Sequence, residues 1–325
     1  MCSFGKTQPQ LAAAGRGNDT MKYSGIGGQA VIEGIMMQNG DDYAIAVRKP
    51  DGEIEVEEGT CKSLRDKYFI CDLPIIRGVV TFVESLALGM KSLTDSSKYF
   101  EDEEDDAEEI DEDKKEKREK VETTFTVILS IILAVGIFMI LPFFISELLK
   151  KVVASEKLLA VIEGVIRILL FIGYVFAISF VEDIKRVFMY HGAEHKTINC
   201  VEHMLPLTVE NVKKQSREHK RCGTSFIFIV LFISIIFFIF IRVDNMWLKI
   251  LCRILLVPVI AGVSYEFIRL AGKSENSIVN ALSKPGMLIQ KLTTKEPDDS
   301  MIEVAIASVE AVFDWKEFQK DKDAE

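Results

Sequence analysis

The chain has 325 residues, 49% of them hydrophobic and 27% charged, with a net charge of −10. That acidic balance argues against a nucleic-acid partner, because phosphate binding needs a basic surface. Six scattered cysteines (Cys2, Cys61, Cys71, Cys200, Cys222, Cys252) show no C-x-x-C spacing, which argues against a disulfide scaffold and for free thiols.

Residues 1–20 are rich in Gly, Gln, Ala and Asn and carry no apolar h-region, so they read as a disordered tail and not as a cleaved signal peptide. A small soluble α+β region is expected over residues 21–100. It opens with GIGGQAVIEGIMMQNG, whose only charge is Glu33. This string is not G-x-G-x-x-G and gives no nucleotide-binding loop. Alternation on both sides of Lys49-Pro50-Asp51-Gly52 then predicts a β-hairpin. Residues 72–93 read as an amphipathic helix, lying on a membrane surface or packing on the sheet. The like-charge run EDEEDDAEEIDED belongs to a charged linker over residues 101–122.

A membrane bundle is expected over residues 123–272. Residues 123–146 hold no charge, which predicts a transmembrane helix. Residues 158–181 predict a second, in which Glu163 and Arg167 stand four apart and pair on one face. Residues 224–241 predict a third, and 246–268, with Pro258 inside, a fourth. Lys and Arg concentrate before the first helix, between the second and third, and after the fourth. The positive-inside rule therefore puts both termini on the cytoplasmic side of a bacterial cell membrane. The final region, 273–325, has turn signals at Lys284-Pro285-Gly286 and Glu296-Pro297. A capping box of Ser300 and Glu303 predicts a helix there, with Ile302, Ala305, Ile306 and Val309 on its apolar face. The expected fold class is thus an α-helical membrane protein with about four transmembrane helices, a small cytoplasmic α+β N-terminal region and a cytoplasmic C-terminal helix.

All four histidines fall between His191 and His219, in a loop spanning residues 185–223. The second membrane helix has no breaker before this stretch other than Gly192, so it is expected to run on through it. His191 and His195 are four apart, which puts both imidazoles on one helical face at the spacing zinc-binding helices use. With Glu194 they form H-x-x-E-H, the inverzincin order. The glutamate of such a site is not a ligand; it is the base for a water whose pKa the cation lowers. Glu202, His219 and Cys222 are the candidates to complete the shell, and His203 is the weaker one. Glu202 would reach the same ion only if the helix broke near Asn199 or Cys200, because a straight helix holds it about 10 Å from His195. Glu33 is a further carboxylate that could approach.

GGQAVIEGIMMQ, YHGAEHKTI, RCGTSF and LTTKEPDDSMIEVAI, in that order, resemble the YqhQ-like family of bacterial multi-pass membrane proteins. The resemblance implies a metal-dependent enzyme. Relatives often read H-P-R-C before the cysteine, where this chain has His219, Lys220, Arg221 and Cys222. The leading expectation is a membrane-anchored hydrolase with zinc at His191 and His195 and Glu194 as general base. Its partner is the lipid bilayer, and a homo-oligomer is compatible with so small a bundle. The alternatives are a scaffold in which the metal only ties the loop, and a transporter built around Glu163 and Arg167.

Overall fold

The computed structural model describes residues 22–100, 112–241, 243, 245–273 and 276–320. The tail expected over 1–20 and most of the acidic run lie outside the described residues. The chain divides into two compact units. One comprises Met1–Phe100, Val175–Val230 and Pro258–Glu325; the other comprises Glu101–Tyr174 and Leu231–Val257.

The first unit is built on an antiparallel four-stranded meander: β1 (Gly27–Val31), β2 (Gly34–Asn39), β3 (Asp42–Arg48) and β4 (Ile54–Thr60). The predicted hairpin is β3–β4. The glycine-rich segment before it forms β1–β2, turning at Glu33, which adopts φ 47°. β2 is buried along most of its length because the sheet is a middle layer. Successive side chains point to opposite faces. Ile35, Met37 and Ala46 therefore pack on Tyr190, Ile198, Met301, Ile302 and Ala305, while Met36, Tyr43, Ile45 and Val47 pack with Leu88.

The helix supplying Leu88 is α1 (Ile76–Ser97), the expected amphipathic helix. The long helix α2 starts at Glu112, contains a π-turn at Gly136–Ile140 and includes the apolar stretch Val121–Lys151. Next comes α3 (Glu156–Ile178). It does not run on into the histidine segment as the sequence suggested. Ser179 Oγ donates back to the Phe176 carbonyl, Val181 is extended, and a new helix, α4 (Glu182–Glu202), starts with Glu182 and Asp183 in its first turn, where the helix dipole favours acids. The order is completed by α5 (Gly223–Ile239), α6 (Met246–Lys273), α7 (Ser277–Thr293) and α8 (Asp299–Val312).

Among the described residues, three helices are long and apolar enough to cross a membrane: Val121–Lys151, Glu156–Ile178 and Met246–Gly272. The third span expected from sequence forms α5, which at 17 residues rises about 25 Å, less than the ~30 Å of a hydrocarbon core. Two local expectations also change. α7 continues through Pro285 where a turn was expected, and Gly286 lets Ser225 pack close against it. The cap of α8 is Asp298, whose carboxylate accepts from the Met301 amide at 3.0 Å, and not Ser300; Glu303 is held by Arg48 instead.

In the second unit, Glu163 is bonded by Arg167, as expected, and also by Arg253, at 2.8 and 2.6 Å. Arg167 further donates to Ser234 Oγ and the Phe138 carbonyl, and the Arg253 guanidinium lies over the Phe143 and Phe238 rings. All three charged side chains are buried. Breaking a buried ion pair from one side strands the other partner at about 3–5 kcal/mol. Glu163→Leu is therefore expected to lower the melting midpoint of the detergent-solubilised protein by roughly 10 °C, followed by tryptophan fluorescence.

Candidate metal centre

α4 presents His191, Glu194 and His195 on one face, as the four-residue spacing requires, and Cys222 arrives just before α5. The ligand atoms of His191, His195 and Cys222 lie within 4.8 Å of one another. Cys222 Sγ is 3.2 Å from His191 Nε2, and the Thr224 amide at the start of α5 also points to the sulfur, at 3.4 Å.

Both imidazoles are oriented from behind. His191 Nδ1 lies 2.9 Å from the Thr293 carbonyl, and His195 Nδ1 bonds the Arg217 carbonyl. A carbonyl only accepts, so each ring carries a proton on Nδ1 and turns its Nε2 to the cluster. Metal-binding histidines are held in the same way. The loop behind Cys222 is fixed as firmly. Buried Gln290 accepts from the His219 amide at 2.8 Å and donates to the His219 carbonyl and Ser225 Oγ, both at 2.7 Å. Asn199 donates to the Ser216 and Glu218 carbonyls. Sequence reasoning missed Gln290, Asn199, Arg217 and Thr293, two of which, Arg217 and Thr293, act through a backbone carbonyl and leave no residue-type signature.

Burial works to push the Cys222 thiol up, but the imidazoles of His191 and His195 outweigh it and hold the thiol well below its ordinary range. Burial likewise opposes a charge on His191, yet the Cys222 sulfur, Glu194 and the Thr293 carbonyl raise it to about 9. The two form a thiolate–imidazolium pair, a donor set ready for a soft or borderline cation.

Glu194 is buried, and burial raises its carboxyl above the ordinary range even with both imidazoles nearby. Its Oε2 has no hydrogen-bond partner among the described residues. Room for it comes from Gly28 on β1, where a Cβ would stand 3.0 Å from Glu194 Cγ. Met37 Sδ and the Met36 carbonyl crowd the same position, so Gly28 is required there. Glu194, the three ligand residues and Gly28 line one cavity of about 360 Å³, whose walls are mainly apolar: Ile26, Phe82, Leu86, Val187, Phe226 and Ile227 among them.

The other candidates fall outside the cluster. α4 does not break before Glu202, so that residue stays down the helix. Its carboxylate accepts from Arg221 at 2.6 Å, from Ser24 Oγ at 2.8 Å and from the Ser24 amide at 3.0 Å. Burial opposes ionisation of Glu202, but His219 and Arg221 together lower its pKa. His219 turns its Nε2 to Glu202 at 3.4 Å, and burial with Arg221 beside it lowers its pKa to about 4. Its ring centroid is 5.8 Å from that of His195, so it backs the cluster without joining it. Lys220 in place of proline leaves His219 and Cys222 in position. His203 Nδ1 bonds its own helix at the Asn199 carbonyl, and Glu33 is paired with Arg186 and Tyr190.

No solved structure matches the chain. The Bacillus subtilis (strain 168) protein named "Uncharacterized protein YqhQ" is 37% identical over 286 residues, which is 87% of this chain and 90% of that one. A family model described as "Protein of unknown function (DUF1385)" matches residues 73–315. Those residues carry the H-x-x-E-H helix, Cys222 and every side chain that orients them, and the chain belongs to the DUF1385 family, as the resemblance to YqhQ-like proteins implied.

Proposed function

We propose that the protein is a membrane-anchored, metal-dependent hydrolase whose site faces the cytoplasm. Zinc would be held by Nε2 of His191, Nε2 of His195 and Sγ of Cys222. α5 would serve as a fourth span beside the three longer helices, since 17 residues is the short end of what crosses a bilayer. The observation that carries the reading is the pairing of three donors with an unpartnered buried carboxylate in one cavity. Catalytic zinc sites use three protein ligands and an open position, while structural sites close with four. The residues nearest to being a fourth, Glu202 and His219, are engaged with each other, and Glu202 also with Arg221.

Bound there, the cation would supply Lewis acidity and lower the pKa of water. Glu194 would take a proton at Oε2 and return it to the leaving group. Its raised pKa suits a group that must do both near neutral pH. The apolar walls would limit competing water, and the Thr293 and Arg217 carbonyls would keep both rings in the tautomer the cation requires.

The test is metal content by elemental mass spectrometry of the detergent-purified full chain. About one zinc per chain is expected in wild type and in Glu194→Gln, and none in His195→Ala. Absence of metal from wild type after reconstitution with zinc would sink the proposal. A scaffold would differ in one readout: with any substrate the wild type turns over, Glu194→Gln is expected to lose activity by roughly 10²–10⁴-fold while keeping its metal. Buried Glu163 is paired with both Arg167 and Arg253, which supports a structural role over a transport path.

A further inference from the structure

The cavity's mouth identifies what it takes. Of the residues lining it, the exposed ones are Phe82, Leu86, Gly223 and Ile227, and all four are apolar. The charged and ligating groups, Glu194, His191, His195, His219 and Arg221, are buried or half-buried at its inner end. A water-soluble peptide or sugar would need polar partners at the rim. The hydroxyl nearest to offering one, Ser85 Oγ, donates to the Thr81 carbonyl of its own helix.

The rim continues into an exposed apolar surface. On α1, Phe82, Leu86 and Met90 recur every four residues, with Val83 and Leu93 beside them, and all are exposed. Just before α1, Phe69 is 81% and Ile70 66% exposed. The charged residues of α1 are committed elsewhere. Arg77 makes two 2.6 Å bonds to Glu266, Glu84 accepts from Leu64 N and Ser63 Oγ, and Lys91 donates to Tyr43. An apolar surface of this extent on a soluble face would be an aggregation hazard.

What covers it follows from where α1 is fastened. Its first turn is docked on α6 inside the apolar stretch Met246–Gly272. A Cβ on Gly78 would stand 2.9 Å from Gly262 Cα, so the two backbones touch there. Ile75, a β-branched residue at φ 71°, is held against Gly262 in a strained backbone conformation. Arg77 and Glu266 lock the crossing. Fastened at this point, the helix would present its exposed apolar stripe to the bilayer interface, in the manner of interfacial helices. Ile227, the opposite lip of the mouth, is itself on the apolar helix α5.

Building on the hydrolase reading, we propose that the substrate is a membrane lipid whose alkyl chain slides from the bilayer between α1 and α5, past Phe82, Leu86 and Ile227, and whose head carries the bond to be hydrolysed. The chain fills the apolar part of the cavity and holds the head against Glu194 and the His191–His195–Cys222 cluster. Water adds across the scissile bond, its hydroxyl going to the acyl or phosphoryl centre and its proton to the leaving oxygen or nitrogen. No other reactant is needed.

The test uses the full chain in phosphatidylcholine vesicles containing a trace of phospholipid with a diazirine at its chain end. The protein is prepared with and without zinc, and cross-linked peptides are mapped by mass spectrometry. Cross-links at the interior wall residues Val187, Phe188 and Ile198 are expected in both preparations, and are expected to fall at least tenfold in Leu86→Trp, which narrows the mouth. Labelling confined to outward-facing positions such as Phe125, Ile131 and Leu169 would overturn the proposal. So would interior labelling that Leu86→Trp and a second mouth variant, Ile227→Trp, both leave unchanged. Because the label requires no metal, a failure here is separable from a failure of zinc to bind.

Discussion

Cys222→Ala is expected to empty the proposed metal centre while leaving the fold intact. The two imidazoles that remain are held by Thr293 and Arg217, so they keep their positions, but a pair of neutral nitrogens lacks the charge of the thiolate. Elemental analysis after dialysis should find no zinc. Gln290→Leu is the graded comparison, since it frees the loop behind Cys222 but spares every ligand. Loss of an outer-shell partner costs roughly 10–100-fold in affinity, so this variant should keep zinc at high supply and release it on dilution. The pH dependence has a definite sign. At pH 7 the metal-free centre holds one proton on the His191–Cys222 pair, because His191 is raised to about 9, and zinc must expel it. Affinity in the wild type should rise about tenfold per pH unit and level off above about pH 9; competition with a chromogenic chelator measures this.

The second large effect is steric. Gly192 lies under residues 293–297, and a Cβ at that position would run into the Lys295 carbonyl oxygen. That segment is pinned at both ends of the contact, by Lys295 N to the Phe188 carbonyl at 2.8 Å and by the His191–Thr293 bond. Gly192→Ala, which on an exposed helix would be mildly stabilising, is here expected to cost about 3 kcal/mol, as overpacking in a close-packed interior does. The His191–Thr293 bond should break with it. The measurable outcome is a lowered denaturation midpoint together with weakened zinc binding, while a control at an exposed position of the same helix, Lys185→Ala, should affect metal binding little.

How much of this was readable beforehand depended on whether the signal was periodic and local. The β3–β4 hairpin followed from alternation around a Pro-Asp-Gly turn. β1 and β2 did not, because Met36 and Met37 are both buried, one on each face of a middle layer, and a strand covered on both sides shows an apolar run without alternation. The membrane-competent stretches were legible from composition, but the break between α3 and α4 was not: Ser179, Phe180 and Val181 contain neither proline nor glycine. At the site, H-x-x-E-H predicted that His191, Glu194 and His195 share a face, because four residues make about one helical turn. The choice among Glu202, His219 and Cys222 was a question of tertiary structure. The geometry turns on Arg221, which pairs with Glu202, and on Gln290, whose bonds seat the loop that carries Cys222. Neither side chain is distinctive in a sequence.

The roof over Gly192 has a consequence for biosynthesis. His191, His195 and Cys222 leave the ribosome well before Thr293, Lys295 and Glu296, which orient His191, cover Gly192 and pair with Lys196. A nascent chain with its apolar helices already emerged would still hold an unroofed histidine pair, with one ring unsupported. Assembly of the His191–His195–Cys222 cluster is thus coupled to completion of the polypeptide, because its roof is the last part of the chain to be made.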